Sequence, residues 1–456
     1  MLVLMLVLRV TDFTKRSQLL LRTVSAIAIL FGLAGCISIS APEQPQTAAP
    51  SSAPEQPQTP TPSTPVGSAT PPVSPPRKLK VPKVKGSPSL PKSTPNRELL
   101  EQSWLIYKQQ FIQQDGRVID YEASDRSTSE GQAYGMLRSV LINDPKTFAL
   151  TLDWAENNLR RFDATGKPID QLWAWKWGQV KPGQWGPIDM NFASDADIDA
   201  ITSLILAGRR WNEPEYLDLA RTKLRDLWQF STIAVPGGKR YLLPGPVAAF
   251  VPSPSTVYLN PSYFAPYAFR LFAQVDPDHD WMSLVDSSYD ALEKSSKVSK
   301  VGLPSDWIAL DTATGQFAPV PADRNLQSVY SFDAYRVWWR IAWDATLFNS
   351  PEAKRYLSTA TKYLQTQLRS SSRLLARIDL EGKPTVNYEA TSQYAMLYPT
   401  LQLIAPDIAP QLLQKKLLPQ YNKGIWDDES AYYTQNLAWI GLLPTRVIQP
   451  QLLQPK

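Results

Sequence analysis

The chain has 456 residues, with 47 Lys and Arg against 42 Asp and Glu, and it contains one histidine, His279, and one cysteine, Cys36. Residues 1–97 hold 11 of the basic and 3 of the acidic residues, so 36 basic and 39 acidic residues remain for the rest. This slightly acidic remainder argues against a nucleic-acid-binding protein. Because an intrachain disulfide, a Cys-rich metal cluster and a His-Glu-x-x-His zinc site are excluded, we expect catalysis by carboxylates, with no metal and no cofactor.

Residues 1–36 have the pattern of an export signal. The stretch "RSQLLLRTVSAIAILFGLAGC" combines an arginine-containing start, an apolar core and small residues before Cys36. "LAGC" resembles the lipobox of bacterial lipoproteins, which implies cleavage before Cys36 and a diacylglycerol on its thiol. A plain membrane anchor and a cleaved soluble signal are the alternatives. We expect an exported, membrane-anchored lipoprotein on the periplasmic side or at the cell surface.

Residues 37–97 have the composition of a flexible linker. They are rich in Pro, Ser, Thr, Gln and Ala, and the octapeptide "SAPEQPQT" occurs twice, beginning at Ser40 and at Ser52. Such a segment buries too little apolar surface to offset the entropy of ordering it. The basic run "RKLKVPKVK" within it is interpreted as a solvated spacer. The folded domain is predicted to span 98–456.

Apolar residues beyond position 97 recur mostly at helical spacing. This spacing predicts twelve helices in six pairs, near 98–113, 130–142, 145–161, 195–210, 213–229, 261–275, 279–294, 333–347, 351–366, 388–402, 407–418 and 428–442. Short β-like pieces, such as "GRVIDY" and "KRYLLP", lie between them without βαβ alternation. Six helical hairpins predict an all-α protein, an (α/α)6 barrel in which the ends of the inner helices line a cleft.

The stretch "DRSTSEGQAYGMLRSVL" raises two interpretations of Glu130. Ser127-x-x-Glu130 matches a capping box, in which the glutamate bonds to the amide of the cap residue. Alternatively, Glu130 is a proton donor. A helix N-terminus lowers the pKa of a carboxyl group, whereas burial and a neighbouring acid raise it. We expect the raising effects to win, with Asp195 as the neighbouring acid.

Two further acids begin predicted helices. Asp195 lies in "NFASDADIDAITSLILAGRRW", where Ser194-x-x-Asp197 is another helix-start pattern, and Asp333 lies in "SVYSFDAYRVWWRIAW". Acids at helix N-termini are common because they complement the helix dipole, so each alone has a structural explanation. All three begin helices that look like the inner members of their pairs. In a helical barrel their side chains should therefore meet at one end.

Many aromatic residues accompany these acids. Trp and Tyr stack well on the apolar faces of sugar rings, although core packing is an equally good explanation for any single one. Carboxylates in an aromatic cleft, without metal or histidine, indicate glycoside chemistry. The aromatic candidates are Tyr134, Trp173, Trp175, Trp177, Trp185, Phe332, Tyr335 and Tyr394.

Five motifs give a specific resemblance. "TSEGQAYGML", "LWAWKW", "ASDADIDAITSLILAGRRW", "YSFDAYRVWWRIAW" and "YYTQNLAWIG" occur in the order and approximate spacing of glycoside hydrolase family 8. The chain is most similar to the cellulose-synthase-associated bacterial endoglucanases, over about residues 100–445. The resemblance implies an (α/α)6 barrel and hydrolysis of β-1,4-linked polysaccharide with inversion, without a cofactor. It also suggests an association with the cellulose synthesis and export machinery.

The resemblance assigns roles to matching positions. Glu130 corresponds to the general acid, Asp333 to the general base, and Asp195 to the residue that holds the central sugar. Arg336 and Trp175 match positions that contact sugar or order the catalytic groups. The further residues expected to bind substrate are Phe332, Tyr134 and Tyr394. Family members commonly have tyrosine where this chain has Phe332, so a hydroxyl that could order water is missing.

Three other hypotheses remain open. The chain could be a catalytically silent glucan-binding lipoprotein that uses the aromatic cleft as a grip. It could have the same fold but cleave xylan, chitosan or mixed-linkage glucan. A polysaccharide lyase is less favoured, because such enzymes generally need a Tyr or His base and His279 lies in the loop-like stretch "DPDHDW".

Overall fold

The computed structural model describes residues 81–82, 87–322 and 325–454. The predicted signal peptide, Cys36 and most of the predicted linker lie outside these residues. The α-helices of the described part are α1 (Arg97–Phe111), α2 (Ser129–Leu141), α3 (Pro145–Asn158), α4 (Ser194–Trp211), α5 (Pro214–Ser231), α6 (Val247–Phe250), α7 (Pro266–Phe272), α8 (Trp281–Ser295), α9 (Phe332–Leu347), α10 (Pro351–Ala360), α11 (Lys362–Ser371), α12 (Thr391–Ile404), α13 (Ala409–Leu412), α14 (Tyr432–Leu442) and α15 (Pro450–Leu453).

Strands, most of them short, lie between these helices. In the same part of the chain they are β1 (Ser127–Thr128), β2 (Arg160–Phe162), β3 (Pro168–Lys181), β4 (Gln184–Phe192), β5 (Thr232–Ala234), β6 (Arg240–Leu242), β7 (Thr256–Leu259), β8 (Ile308–Asp311), β9 (Phe317–Ala318), β10 (Tyr421–Asn422) and β11 (Ile425–Trp426). All the pairings between them are antiparallel.

The helices form two concentric layers. In the inner layer α2, α4, α7, α9, α12 and α14 pack in sequence, and α14 closes the ring against α2. In the outer layer α3, α5, α8, α10 and α13 each pack on the inner helix that precedes them in their pair, and α1 packs on α14. This arrangement confirms the predicted (α/α)6 barrel. It also explains why the starts of the inner helices come together at one end.

The two layers differ in how their helices are buried. Every residue of α2 is buried, including polar ones such as Gln132 and Arg138. The outer helix α5 instead buries one stripe at a spacing of three to four residues and exposes the rest. Many buried polar side chains of the inner layer have partners: Gln132, for example, accepts a hydrogen bond from the Val118 amide and donates to the Thr151 carbonyl.

Helices occur at all twelve predicted positions, but three of them are shorter or interrupted. The segment predicted at 261–275 begins as a 3₁₀ turn, Pro261–Tyr263, before α7 starts at Pro266, because a proline cannot donate a helical hydrogen bond. The segment predicted at 351–366 is divided into α10 and α11. The segment predicted at 407–418 has one α-helical turn, α13, followed by a π-helical turn.

The β structure departs from the prediction in two places. "KRYLLP" contains β6, but "GRVIDY" forms isolated bridges only. The largest β element is a long hairpin of β3 and β4, 14 and 9 residues, rather than a short piece. β3 also pairs with β1, which leads directly into α2. The hairpin is thus fixed against the start of the helix that carries Glu130.

Residues before α1 contact the folded part. Leu90 is buried in the core, and its amide donates a hydrogen bond to Glu101 on α1 at 2.8 Å. Arg97 donates to the carbonyl of Leu90. Within the described residues, none of the helices combines the length and the hydropathy that a bilayer-spanning segment requires.

Candidate active site

One cavity lies where four inner helices begin. Glu130, Asp195 and Asp333 each occupy the second residue of their helix, α2, α4 and α9 respectively, and all three side chains reach this cavity. The structure therefore brings together the three acids that the sequence singled out. The cavity is lined by Arg126, Thr128, Ser129, Glu130, Trp175, Ala193, Asp195, Tyr263, Trp307, Asp333, Arg336 and Tyr432.

The guanidinium of Arg336 joins the three acids. Its Nη1 donates to Glu130 Oε2 and, at 2.7 Å, to Asp195 Oδ2. Its Nη2 donates to Asp333 Oδ1 at 2.7 Å and to Ser262 Oγ at 3.2 Å. Arg336 is almost fully buried, one helical turn after Asp333 and on the same face. Three carboxyl groups share one cation, so the cluster favours uptake of a proton.

Glu130 is buried and does not cap its own helix. The cap residue of α2 is Thr128, whose hydroxyl accepts the Gly131 amide at 3.0 Å, so the capping-box interpretation of Glu130 is wrong. Its Oε1 accepts the Tyr432 hydroxyl at 2.9 Å. Burial raises the pKa of Glu130 to about 7, and the charge of Asp195 adds to this while Arg336 opposes it. The predicted rise of this pKa above its ordinary value is confirmed.

Asp333 lies in a different set of hydrogen-bond donors. Besides Arg336, the side-chain amide of Asn260 donates to its Oδ2 at 3.1 Å. Burial raises the pKa of Asp333, Arg336 opposes that rise, and the charge of Asp195 adds to it. Asn260 and Ser262 belong to the segment before α7, and the Ser262 hydroxyl donates to Asn260 Oδ1 at 2.7 Å. Both residues were missed by the sequence analysis.

The serines of the predicted helix-start patterns serve other segments. Ser127 lies in β1 and donates to the Val118 carbonyl at 2.6 Å, while Ser194 donates to the Leu243 carbonyl at 2.6 Å. Asp197 accepts the amide of Trp173 at 3.3 Å and so joins α4 to β3. The predicted capping by Ser127 and Ser194 is therefore wrong, because tertiary partners outcompete the local ones.

Four aromatic side chains line the cavity. Trp175 was predicted from "LWAWKW", whereas Tyr263, Trp307 and Tyr432 were not singled out. Tyr432 lies in the quoted motif "YYTQNLAWIG", which could have identified it. Tyr263 and Trp307 come from segments between helices, and their rings lie 6.4 Å apart. The cavity thus combines three acids with flat apolar surfaces, as sugar recognition requires.

Three predicted sugar contacts are not in the lining. Tyr134 is fully buried and packs against the Trp339 ring, so it belongs to the core beneath the acids. Tyr394 is also buried; its hydroxyl accepts the Leu374 amide at 2.8 Å and donates to Glu389. The structure corrects the prediction for both residues. Phe332 is half-buried at the first position of α9, and its carbonyl accepts the Tyr433 hydroxyl at 2.7 Å.

The remaining aromatic candidates stabilise the segments around the cavity. The Trp173 indole donates to Glu156 on α3 at 2.9 Å, and Trp177 stacks on Trp185 with ring centres 5.4 Å apart. Tyr335 donates to the Ala376 carbonyl. These contacts hold the β3–β4 hairpin and the start of α9 in place. They give these residues structural roles.

A barrel of paired helices with three buried acids and a Trp/Tyr-lined cavity defines the class: the chain is a glycoside hydrolase. Residues 92–443 match the family model described as glycosyl hydrolases family 8, and the chain belongs to this family. The predicted family and enzyme class are confirmed.

Similar proteins include named endoglucanases. An endoglucanase of Escherichia coli (strain K12) is 31% identical over 294 residues, 63% of this chain and 75% of the relative. An endoglucanase of Salmonella typhi is 30% identical over 340 residues, 74% of this chain and 85% of the relative. The crystal structure of endo-1,4-D-glucanase from Vibrio fischeri ES114 is 29% identical with a TM-score of 0.63, covering 75% of this chain and 93% of that one.

Proposed function

We propose that the protein is an inverting endo-acting hydrolase of β-1,4-glucan chains. The observation that carries this proposal is the single guanidinium of Arg336 bound to Glu130, Asp195 and Asp333 at the wall of an aromatic cavity. The names of the relatives, endoglucanase and endo-1,4-D-glucanase, support glucan as the substrate.

Glu130 and Asp333 suit opposite tasks in this reaction. Glu130, with a pKa near 7, is partly protonated at neutral pH and gives its proton to the leaving glycosidic oxygen. Burial raises the pKa of Asp333, but the hydrogen bonds from Arg336 and Asn260 oppose that rise and favour the ionised form, which takes a proton from the attacking water. The bond from the anomeric carbon to the leaving oxygen breaks as the bond to the water oxygen forms. Afterwards solvent returns the proton from Asp333 to Glu130.

Asp195 and the aromatic rings hold the sugar during this step. Asp195 keeps one oxygen on Arg336 and the other on the Ala196 amide at 2.8 Å, so its carboxylate is fixed at the cavity wall. Trp175, Trp307 and Tyr263 offer faces for sugar rings. Inversion requires that a water fit between base and anomeric carbon, with the two carboxyl groups about 6.5–9.5 Å apart.

The test is product analysis of the purified enzyme. We expect a rapid loss of viscosity and release of reducing ends from carboxymethylcellulose, and NMR should show α-anomers as the first products from cellooligosaccharides. Retained β-configuration would contradict the inverting mechanism. Faster cleavage of xylan, chitosan or mixed-linkage glucan would show that this polysaccharide, rather than β-1,4-glucan, is the preferred substrate. Binding of cellulose without any reducing-end release would favour the silent glucan-binding lipoprotein instead.

The location of the enzyme is a second part of the proposal. The signal pattern ending in "LAGC" supports lipid attachment at Cys36, with residues 37–97 as a tether, and the family resemblance supports work beside the cellulose synthesis and export machinery. A Cys36→Ser variant should lose incorporation of labelled fatty acid and leave the membrane fraction. Unchanged membrane association would exclude the lipid anchor. Co-purification with the cellulose synthase complex, or its absence, tests the partner.

A further inference from the structure

The helix that carries Asp333 is capped by a residue from elsewhere in the chain. Ser331 is the cap residue of α9, but its side chain makes no cap hydrogen bond. Instead, Oδ1 of Asp306 accepts the amide of Ala334 at 2.8 Å and the amide of Ser331 at 3.1 Å. These two amides, one at the cap residue and one in the first turn of the helix, lie on either side of Asp333. One carboxyl oxygen therefore fixes the backbone on both sides of the proposed base.

Asp306 is itself firmly held. It is buried, and its own amide donates to the Val329 carbonyl at 2.7 Å. Next to it, the Trp307 carbonyl accepts the Ser328 hydroxyl at 2.7 Å. The segment 328–330 runs directly into α9, so the loop at 306–307 and the start of the helix are joined at several points. Displacement of Asp306 would move the first turn of α9 with it.

The same loop reaches the substrate cavity. Trp307 lines that cavity beside Tyr263, while its neighbour Asp306 holds the backbone around Asp333. A short segment thus determines both where one sugar-stacking surface lies and where the base lies. Trp307 and Asp306 are adjacent in the chain, so the stacking surface and the carboxyl group that holds the first turn of α9 are covalently linked.

We infer that Asp306 is a positioning residue for Asp333, and that its hydrogen bonds to the first turn of α9 keep the base aligned with the attacking water. The inference rests on the proposed function, in which Asp333 is the base. Alignment matters because misplacing a reacting group by about 1 Å can lower a rate about 100-fold. Asp306 touches neither water nor sugar in this role; it acts through the helix.

Three variants separate this role from general stability. In Asp306→Ala the amides of Ser331 and Ala334 lose their acceptor, and we expect kcat for cellooligosaccharide hydrolysis to fall about 10- to 100-fold with KM nearly unchanged. Asp306→Asn keeps an oxygen at the Oδ1 position and should restore most of kcat. Asp306→Ser has a hydroxyl that is too short to reach both amides and should resemble Asp306→Ala. Equal kcat in all three variants would overturn the inference.

A double-mutant cycle tests whether Asp306 acts through Asp333. We expect Asp306→Ala to have no further effect on the residual rate once Asp333→Ala has removed the base, measured with a fluorogenic cellooligosaccharide. The same fold-loss in both backgrounds would overturn the inference while leaving the base assignment intact. Wild-type activity of Asp333→Ala alone would instead overturn the proposed function, and the inference with it.

Asp311 provides the matched control. Its Oδ1 also accepts two backbone amides, those of Ala313 at 2.9 Å and Thr314 at 2.8 Å, but it is exposed at the end of β8. Asp311→Ala should retain wild-type kcat and KM. Thermal unfolding and calorimetric binding of cellotetraose are measured for every variant. A loss of kcat in Asp311→Ala equal to that in Asp306→Ala would show that removing any such backbone acceptor in this region lowers activity, and would overturn the inference.

Discussion

The starts of α2 and α9 resemble each other in sequence but are built differently. Each has its acid, Glu130 or Asp333, at the second position, and each acid is bound by Arg336. The first is capped locally by Thr128, and the second is capped by Asp306, 28 positions from Ala334. The remaining donor to Glu130 is a tyrosine hydroxyl, whereas for Asp333 it is an asparagine amide. The two acids therefore share a position on their helices and one cation, and they differ in the second donor that each one accepts.

The largest effect should come from removing the acid of the first helix start. Glu130→Gln cannot donate a proton to the leaving oxygen, so kcat on cellooligosaccharides should fall roughly 10²- to 10⁴-fold. Binding of cellotetraose should persist, because Gln keeps the size and an acceptor oxygen. The matched control is Glu122→Gln: burial raises the pKa of Glu122 to about 7 as well, but that residue is not in the cavity lining. Near-normal turnover by Glu130→Gln would contradict the proposed role of Glu130 as the proton donor, and with it the distinction between Glu130 and Asp333.

Removal of Arg336, the cation that the three acids share, should destabilise the starts of α2 and α9 together. Arg336→Met leaves three buried carboxyl groups without their common partner, which should cost about 3–5 kcal/mol in the free energy of unfolding. Urea unfolding at pH 7 measures this loss, and part of it should be recovered at pH 5, where the acids take up protons. As a control, Arg355→Met breaks the exposed pair with Glu293 and should cost less than about 1 kcal/mol. Similar losses for the two variants would contradict the central role of Arg336.

The Tyr432 hydroxyl should set the alkaline limit of activity. Its hydrogen bond to the Glu130 carboxylate favours the ionised form and so opposes the effect of burial, which on balance still raises the pKa of Glu130 to about 7. An acid catalyst is active when protonated, so kcat/KM should decline as the pH rises above about 7. Tyr432→Phe removes the donor, raises the pKa of Glu130, and should move this decline upward by about one pH unit or less. A downward shift would show that the hydroxyl favours the protonated acid.

The sequence predicted the helices and the three acids because both depend on local patterns. Apolar spacing identifies a helix, and Ser127-x-x-Glu130 and Ser194-x-x-Asp197 indicated two helix starts, although neither serine caps its helix. Asn260, Asp306 and the cavity residue Trp307 lie in irregular segments, where apolar residues follow no regular spacing. Asn260 meets Asp333 across 73 positions of the chain, and only closure of the ring brings them together. Such residues carry no local signal of their role.

Aromatic residues were predicted less well for a related physical reason. Every residue of α2 is buried, so its pattern does not distinguish the side that faces the cavity from the side that faces the core. Tyr134, one turn beyond Glu130, consequently looked like a sugar contact but packs on Trp339. Tyr394 on α12 was likewise predicted to contact sugar, but its side chain is buried in the core. On an inner helix, depth along the barrel axis matters as much as the helical face.

The smallest effect should come from replacing Phe332, the residue before Asp333, with the tyrosine that family members commonly have. Phe332 is half-buried, its ring packs on Tyr335, and its carbonyl already accepts the Tyr433 hydroxyl. Phe332→Tyr adds a hydroxyl without disturbing these contacts, and if that hydroxyl helps to orient the attacking water, kcat should rise by a small factor while KM stays the same. Phe348→Tyr, at the other end of the same helix, is the control. An unchanged kcat would mean that Asn260 and Arg336 already fix Asp333 and its water, and that the second helix start needs no tyrosine.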